Sequence, residues 1–235
     1  MIQGVGGRAA GGNFIVALDA NTGKEAWRFY TIARPGEPGG ESWNGLPLEK
    51  RNGGSVWTAG SYDPQLNLAY FGVGQTYDTG PLLHPVKQSG ITNDALYTDS
   101  TLAINPDTGK LAWHFQHVRN DQWDLDWAFE RQLISLPANG ATRKLALTSG
   151  KMAIYDAVDA ETGQYAFSID LGLQNVVSAI DPRQAPKASS RRSCPAMAKP
   201  RPCALTPAGL KIGTRLRIIP AQKCCTSLWS SRAWT

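Results

Sequence analysis

Four carboxylates fall within one short stretch, at Asp121, Asp124, Asp126 and Glu130. A carboxylate can take the proton of a hydroxyl group or hold a divalent cation, and beside a cation it can do both. The spacing alone fits a solvated turn as well as a reaction centre. Lys151 follows a glycine, where a lone lysine marks either a surface turn or a cation placed against a developing negative charge. Trp57 closes Gly53-Gly54-Ser55-Val56-Trp57; it offers a face for stacking a flat ring, with the Ser55 hydroxyl two residues away. In a chain with eight tryptophans, a core role is the other reading. Gln75 follows Phe71-Gly72-Val73-Gly74 and carries a carbonyl oxygen that a hard divalent cation accepts as ligand. His84, His114 and His117 have no metal-ligand spacing with any cysteine, and no C-x-x-C-H haem site is present. Gly4-Val5-Gly6-Gly7 is too short for a dinucleotide loop, and no helix pattern follows it.

The elements that position these residues are repeats. Ala17-Leu18-Asp19-Ala20-Asn21-Thr22-Gly23-Lys24-Glu25-Ala26-Trp27 returns as Ala103-Ile104-Asn105 through Thr108-Gly109 to Trp113, and again as Ala157-Val158-Asp159 through Thr162-Gly163 to Phe167. A degenerate unit, Ser61-Tyr62-Asp63-Pro64 to Tyr70, divides the longer gap. The period is then about 40–55 residues, the size of a four-stranded propeller blade. Each copy reads as a β-hairpin. Phe14-Ile15-Val16-Ala17-Leu18 is an apolar strand, Asp19 can accept backbone N–H groups across the turn, and Gly23 can take positive φ. The next strand brings a wide aromatic ring once per unit, a docking device for sheets that cannot bury both faces alone. The alternative is a β-sandwich with D-x-x-T-G hairpins. No long amphipathic helix is expected.

The formal charge of +5 is unevenly placed. Residues 184–235 hold ten Lys/Arg, no Asp or Glu and all four cysteines, which leaves 14 basic against 19 acidic residues before them, a net of −5. The part that reads as folded is acidic, so a nucleic-acid partner is not expected. No stretch approaches the ~18 apolar residues of a membrane span. Met1-Ile2-Gln3-Gly4 has neither the basic n-region nor the apolar h-region of a signal peptide.

The repeats resemble the tryptophan-docking motifs of the quinoprotein dehydrogenases, and more specific stretches agree. These are Trp27-Arg28-Phe29-Tyr30-Thr31, Pro35-Gly36-Glu37-Pro38-Gly39-Gly40 with Ser42-Trp43, Gly53 to Trp57, and Asn120-Asp121-Gln122-Trp123-Asp124. Together they look like the middle of an alcohol dehydrogenase of the methanol/ethanol type that uses pyrroloquinoline quinone. The resemblance implies an all-β fold, a partial β-propeller of about three to four blades out of eight, over residues 1–183. It implies Asp124 as catalytic base near a calcium ion. Trp57 would be the floor under the quinone, with Ser55 and Lys151 bonded to it and Gln75 and Asp124 as metal ligands. It also implies a small alcohol substrate, a cytochrome-type electron acceptor and a periplasmic parent protein. Two positions depart from the family pattern. Gln75 stands where an asparagine is usual, and Gly6-Gly7-Arg8-Ala9-Ala10-Gly11-Gly12 lacks the expected glutamate, which should weaken the calcium ion or change which ion binds. The rival expectations are a non-catalytic propeller scaffold of the same repeat type and an inert truncated gene product. The joint presence of Trp57, Asp124 and Lys151 favours the enzyme, though a fragment is expected to be inactive alone.

From about residue 184 the repeat pattern stops, and the expectation is a frameshifted, disordered basic tail. Shifted codons permitted by Lys223 to Thr235 can spell Met-Leu-Tyr-Val-Pro-Leu-Val-Glu-Ser-Cys-Met-Asp. Those from Lys211 onward can spell Asn-Trp-His-Pro-Ala-Ser-Tyr-Asn-Pro, and Pro202 to Leu205 can spell Val-Cys-Pro-His. The hidden Trp and Tyr are five apart, as are Trp57 and Tyr62, and the three fragments resemble the family's next blades in order. The adjacent Cys224-Cys225 is given no function, because the family's adjacent-cysteine disulfide belongs before residue 1. Resequencing the coding DNA around codons 183–200 should reveal the shift. Strong amide protection between residues 205 and 235 in hydrogen exchange would instead show a folded tail.

Overall fold

A computed structural model describes residues 1–138, 141–180 and 187–189. The chain divides into two units, Met1–Arg191 and Arg192–Thr235, and the second lies outside the described residues. Most of the proposed tail, 184–235, therefore lies outside them too. Its one described segment is a short strand, Lys187–Ser189.

Among the described residues, thirteen strands form antiparallel sheets in which neighbours in sequence are neighbours in space. The first sheet holds β1 (Ile2–Gly4), β2 (Phe14–Leu18) and β3 (Glu25–Tyr30). The second holds β4 (Ser61–Asp63), β5 (Leu68–Gly72), β6 (Ser100–Ile104) and β7 (Leu111–Gln116). The third holds β8 (Gln132–Ala138), β9 (Ala141–Ser149), β10 (Ile154–Asp159) and β11 (Tyr165–Asp170). A two-stranded sheet, β12 (Val177–Ile180) with β13 (Lys187–Ser189), follows. Among the described residues the only helical elements are three-residue 3-10 turns, as the all-β reading requires.

The three copies of the repeat form the same turn by the same bonds. Asp19 Oδ1 accepts the N–H groups of Asn21 and Thr22 and the Thr22 hydroxyl, at 3.1, 2.8 and 2.8 Å. Asn105 Oδ1 and Asp159 Oδ1 do the same for Asp107 and Thr108, and for Glu161 and Thr162. The glycine that follows is left-handed each time, with φ of 69°, 71° and 72°. The register shifts by a bulge at the same place in each copy, after Ala17, Ala103 and Ala157. In the degenerate copy Asp63 Oδ1 accepts from Gln65 and Leu66, and Asn67 takes the positive φ at 51°.

The middle sheet is apolar on both faces because it has a neighbour on each side. Ala69, Phe71, Leu102 and Ile104 pack with Ile15, Ile32 and Val56 of the first sheet and its loops. Leu68, Tyr70 and Ala103 point the other way, into a cluster with Trp113, Ala146 and Val158. A strand buried on both faces reads as a continuous apolar run rather than an alternating one. The Lys144 ammonium also reaches the nearly buried Asp63 carboxylate at 2.7 Å, tying the third sheet to the second.

The repeated aromatic ring docks on the next sheet's turn. Trp27 Nε1 donates to the Pro106 carbonyl at 2.8 Å, and a Cβ built on Gly109 would fall 2.6 Å from the indole. Trp113 Nε1 donates to the Ala160 carbonyl at 3.2 Å, and a Cβ on Gly163 would fall 2.5 Å from its ring. The glycine is thus demanded twice, by its φ and by the ring laid on it. At Gly23 only the first demand holds, since nothing lies within 4 Å of a Cβ there. Both Gly23→Ala and Gly109→Ala pay the left-handed penalty of about 1–2 kcal/mol. Gly109→Ala should cost about 1–3 kcal/mol more, because Trp27 must move. Urea denaturation of the two variants measures the gap; equal losses would show that the docking does not depend on the bare glycine.

Candidate active site

The site residues lie on segments that leave strand ends. Trp57 precedes β4, Gln75 follows β5, Asp124 and Asp126 follow β7, and Lys151 follows β9. They meet around Gly74. A Cβ there would fall 2.5 Å from the Trp57 ring and 3.0 Å from Asp126 Oδ1, so only glycine lets the indole lie against this strand end. Trp57 remains 48% exposed, which leaves ring surface free for a ligand.

A chain of polar contacts joins the rest. Gln75 Nε2 donates to Asp124 Oδ1 at 2.5 Å, and the Gln75 N–H donates to Asp126 Oδ1 at 3.2 Å. Lys151 Nζ lies 2.9 Å from Asp124 Oδ2 and 2.6 Å from Asp126 Oδ2. Burial raises the Asp126 carboxyl above its ordinary value, although the Lys151 ammonium opposes that rise. Partial burial by itself would lower Lys151, but its hydrogen bonds to Asp126 and Asp124 outweigh this and raise it. Asp121 is fully buried; its oxygens accept the N–H groups of Trp123 at 2.8 Å and Leu125 at 2.6 Å, and burial raises it. Asp99, also fully buried, is pushed well above its ordinary value by burial and by Asp121 and Asp126. The acidic stretch is therefore no solvated turn. Asp121 and Asp126 are interior groups, whereas the Asp124 side chain is 61% exposed and open to a substrate. Asn120, Asp124 and Asp126 all have positive φ, at 49°, 63° and 43°. Non-glycine residues hold that conformation only where the surroundings enforce it, commonly at functional sites.

Four of the five sequence-identified residues, Trp57, Gln75, Asp124 and Lys151, are thus assembled in one place. Ser55 lies on the same segment, but its hydroxyl is buried and engaged with the protein itself. It accepts from the Gly7 N–H at 2.9 Å and from Asn13 Nδ2 at 3.2 Å, and it shares a short bond with the Tyr77 hydroxyl. Asp126 was visible in the sequence only as one acid among four; its place between Gln75 and Lys151 follows from the turn that Asp121 caps. Tyr77 and Asp99 carried no sequence signal.

A flat, anionic quinone fits these residues: Trp57 presents a ring face and Lys151, 43% exposed, presents a cation. A calcium ion fits them less well. It takes six to eight oxygen ligands, whereas the side chains here are two carboxylates and one amide, with the Lys151 ammonium already bonded to both carboxylates. Among the described residues no group of three or more His, Cys, Asp or Glu is arranged to hold a metal.

Known proteins share the sequence family and the fold of this chain. Residues 3–177 match the family model for the glucose/ethanol/alcohol dehydrogenase β-propeller domain. A quinohemoprotein alcohol dehydrogenase of Pseudomonas putida, ADH-IIG, is 37% identical over 163 residues, which are 64% of this chain and 22% of that protein. The dehydrogenase subunit of a quinone alcohol dehydrogenase from Gluconobacter oxydans is 33% identical over 198 residues, 77% of this chain and 26% of that one. The structure of ADHIIG from Pseudomonas putida HK5 superposes with a TM-score of 0.64 at 30% identity, covering 77% of this chain and 27% of that one. A europium-containing methanol dehydrogenase shares the fold, with a TM-score of 0.64 at 24% identity. The chain spans about a quarter of the length of these relatives. It belongs to the PQQ-dependent alcohol dehydrogenase family and forms part of that family's β-propeller.

Proposed function

We propose that residues 1–183 are the substrate-facing part of a PQQ-dependent dehydrogenase that oxidises a primary alcohol or a related hydroxyl compound. One observation carries the reading: an exposed tryptophan face, an exposed carboxylate and a lysine converge on one strand end. A scaffold propeller needs the docking tryptophans but has no use for Asp124 and Lys151 beside an open ring face.

Trp57 would hold the cofactor by stacking against its ring, and Lys151 would offer it a cation. When bound, the quinone supplies the acceptor for the hydride that leaves the carbinol carbon. Asp124, held by Gln75 and reachable from solvent, takes the hydroxyl proton. Asp126 keeps Lys151 in place. The parent protein is placed in the periplasm and passes its electrons to a cytochrome, by extension from the family. The 235-residue chain should not turn over alcohols by itself even with added quinone and calcium, because it holds about a quarter of the length of its relatives.

In the full-length parent, Asp124→Asn should abolish turnover while quinone binding survives, since an amide cannot accept a proton at neutral pH. The loss of a general base costs on the order of 10²–10⁴ in rate. Trp57→Ala should fail earlier, at quinone occupancy. Spectroscopic titration of bound quinone, with turnover expressed per bound quinone, separates the two defects. Near-parental turnover per quinone in Asp124→Asn would remove Asp124 as the base.

The 235-residue chain can test the ion pair directly. Lys151→Met leaves Asp126 buried without its cation and should cost about 1 kcal/mol at neutral pH, discounted for the exposure of Lys151. The Asp126 pKa is raised in the folded state, so the carboxyl takes up its proton above its ordinary 3.8, and the pair is absent once pH has fallen through that raised value. The gap between the two proteins should therefore close as pH falls through the Asp126 titration. Urea midpoints across pH 3–7 read it, and a gap that persists at the acid end would assign the loss to packing instead.

A further inference from the structure

The segment that carries Asp124 and Asp126 is held from beneath by a buried polar chain that the proposed chemistry does not use. Arg131 ends the segment and is almost fully buried. Its Nη2 donates to the Trp127 carbonyl at 2.7 Å and to the Ser100 carbonyl at 3.1 Å, and its Nη1 donates to the Phe129 carbonyl. Its Nε donates to Thr101 Oγ1 at 3.0 Å. The Thr101 hydroxyl also meets His117 Nε2 at 2.7 Å, and His117 Nδ1 meets Asp156 Oδ2 at 2.7 Å. The other Asp156 oxygen accepts from the Ser168 hydroxyl at 2.6 Å.

Arg131 Nε can only donate, so Thr101 Oγ1 accepts from it. Thr101 in turn meets one ring nitrogen of His117, and the other ring nitrogen meets Asp156. Arg131 and Asp156 are thus joined through two side chains, across the second and third sheets. Neighbouring groups are fitted to the same arrangement. The His117 and Trp127 rings stack at 4.3 Å with 1° between planes. A Cβ on Gly72 would fall 1.8 Å from Arg131 Nη1, and one on Gly150 would fall 2.7 Å from the Trp127 ring. The Lys151 N–H donates to the Leu125 carbonyl at 2.8 Å, so the lysine and the acidic segment are aligned by backbone as well.

We propose that Thr101, His117, Asp156 and Arg131 are positioning residues whose hydrogen-bonded chain sets where Asp124 and Asp126 stand relative to Gln75 and Lys151. The consequence for function rests on the quinone-site reading above; the effect on the segment does not. Thr101 is the informative position, since Thr101→Val keeps its shape and removes the one hydroxyl that joins Arg131 to His117.

The test uses the 235-residue chain with two readouts, hydrogen exchange and the quenching of tryptophan fluorescence by pyrroloquinoline quinone. In Thr101→Val, amides of 121–131 should exchange about tenfold faster or more, the equivalent of one lost buried hydrogen bond. Those of β9 and β10 should be unchanged. The quinone should bind about tenfold more weakly. Thr101→Ser, which restores the hydroxyl, should recover both. A Thr101→Val protein whose 121–131 amides stay protected, or whose strands all loosen together, overturns the proposal. If Thr101→Val does not fold, the unmodified chain still decides: the Leu125 and Lys151 amides should be as protected as those of β6, and free exchange there is contrary to a locked segment. If the quinone does not quench the unmodified chain while the exchange pattern is as expected, the cofactor reading fails for this chain and the lock stands.

Discussion

The contact on which this structure depends is a tryptophan laid on a glycine of the next sheet. A four-stranded meander has two apolar faces and cannot cover both with its own residues. Trp27 and Trp113 solve this by crossing to the following turn, where each also finds a carbonyl for its indole N–H. Burying such a ring fully is worth about 2–3 kcal/mol, with about 1 kcal/mol more for the hydrogen bond; Trp113 is buried, and Trp27, half-buried, gains less. The glycine beneath must lack a side chain for the ring to reach it. One local motif therefore sets both the turn within a sheet and the spacing between sheets.

That spacing matters because no single sheet owns the site. Trp57, Gln75, Asp124 and Lys151 come from four different strand ends in two neighbouring sheets, so a small slip between sheets would separate them. The acidic segment is the most demanding part, with three residues in left-handed backbone and two carboxyl groups taken out of water. Such a segment cannot hold itself. Arg131 and Trp127 anchor its far end, and Asp121 caps its near end through two backbone N–H groups. The exposed carboxylate of Asp124 stands on the interior ones.

Most of the fold was legible because it is periodic. The Asp-x-x-Thr-Gly turn has a local cause, a carboxylate or amide oxygen bonding backbone two and three residues on, and it formed in all three copies. The degenerate copy at Asp63 was legible for the same reason, with Asn67 in the glycine's place. The site was legible in part. Trp57, Gln75, Asp124 and Lys151 follow motifs, and they do converge. Ser55 follows one too, yet its hydroxyl is spent on Gly7, Asn13 and Tyr77, partners that lie 48, 42 and 22 residues away and that no local pattern reveals. His117 could not be read at all. A lone histidine after a strand gives no sign that Thr101 and Asp156 will reach it from two different sheets.

The glycines also separate what this chain completes by itself from what it leaves open. Gly109 and Gly163 are buried under docked rings, whereas Gly23 has the same turn and the same φ with nothing upon it. The interfaces between the first and second sheets and between the second and third are therefore closed within the chain, each with its own apolar cluster. The site lies over the second of these, with Trp57 and Gln75 on one side and Lys151 on the other. Its local geometry needs only contacts that the chain supplies. Enclosure is a different matter, since a ring face left 48% exposed and a carboxylate left 61% exposed are open to water on the remaining sides. A hydride transfer needs water kept away from the reacting carbon, and a proton acceptor needs only reach. On the reading proposed above, the reach that Asp124 needs is supplied by contacts within this chain, from Gln75 and Lys151.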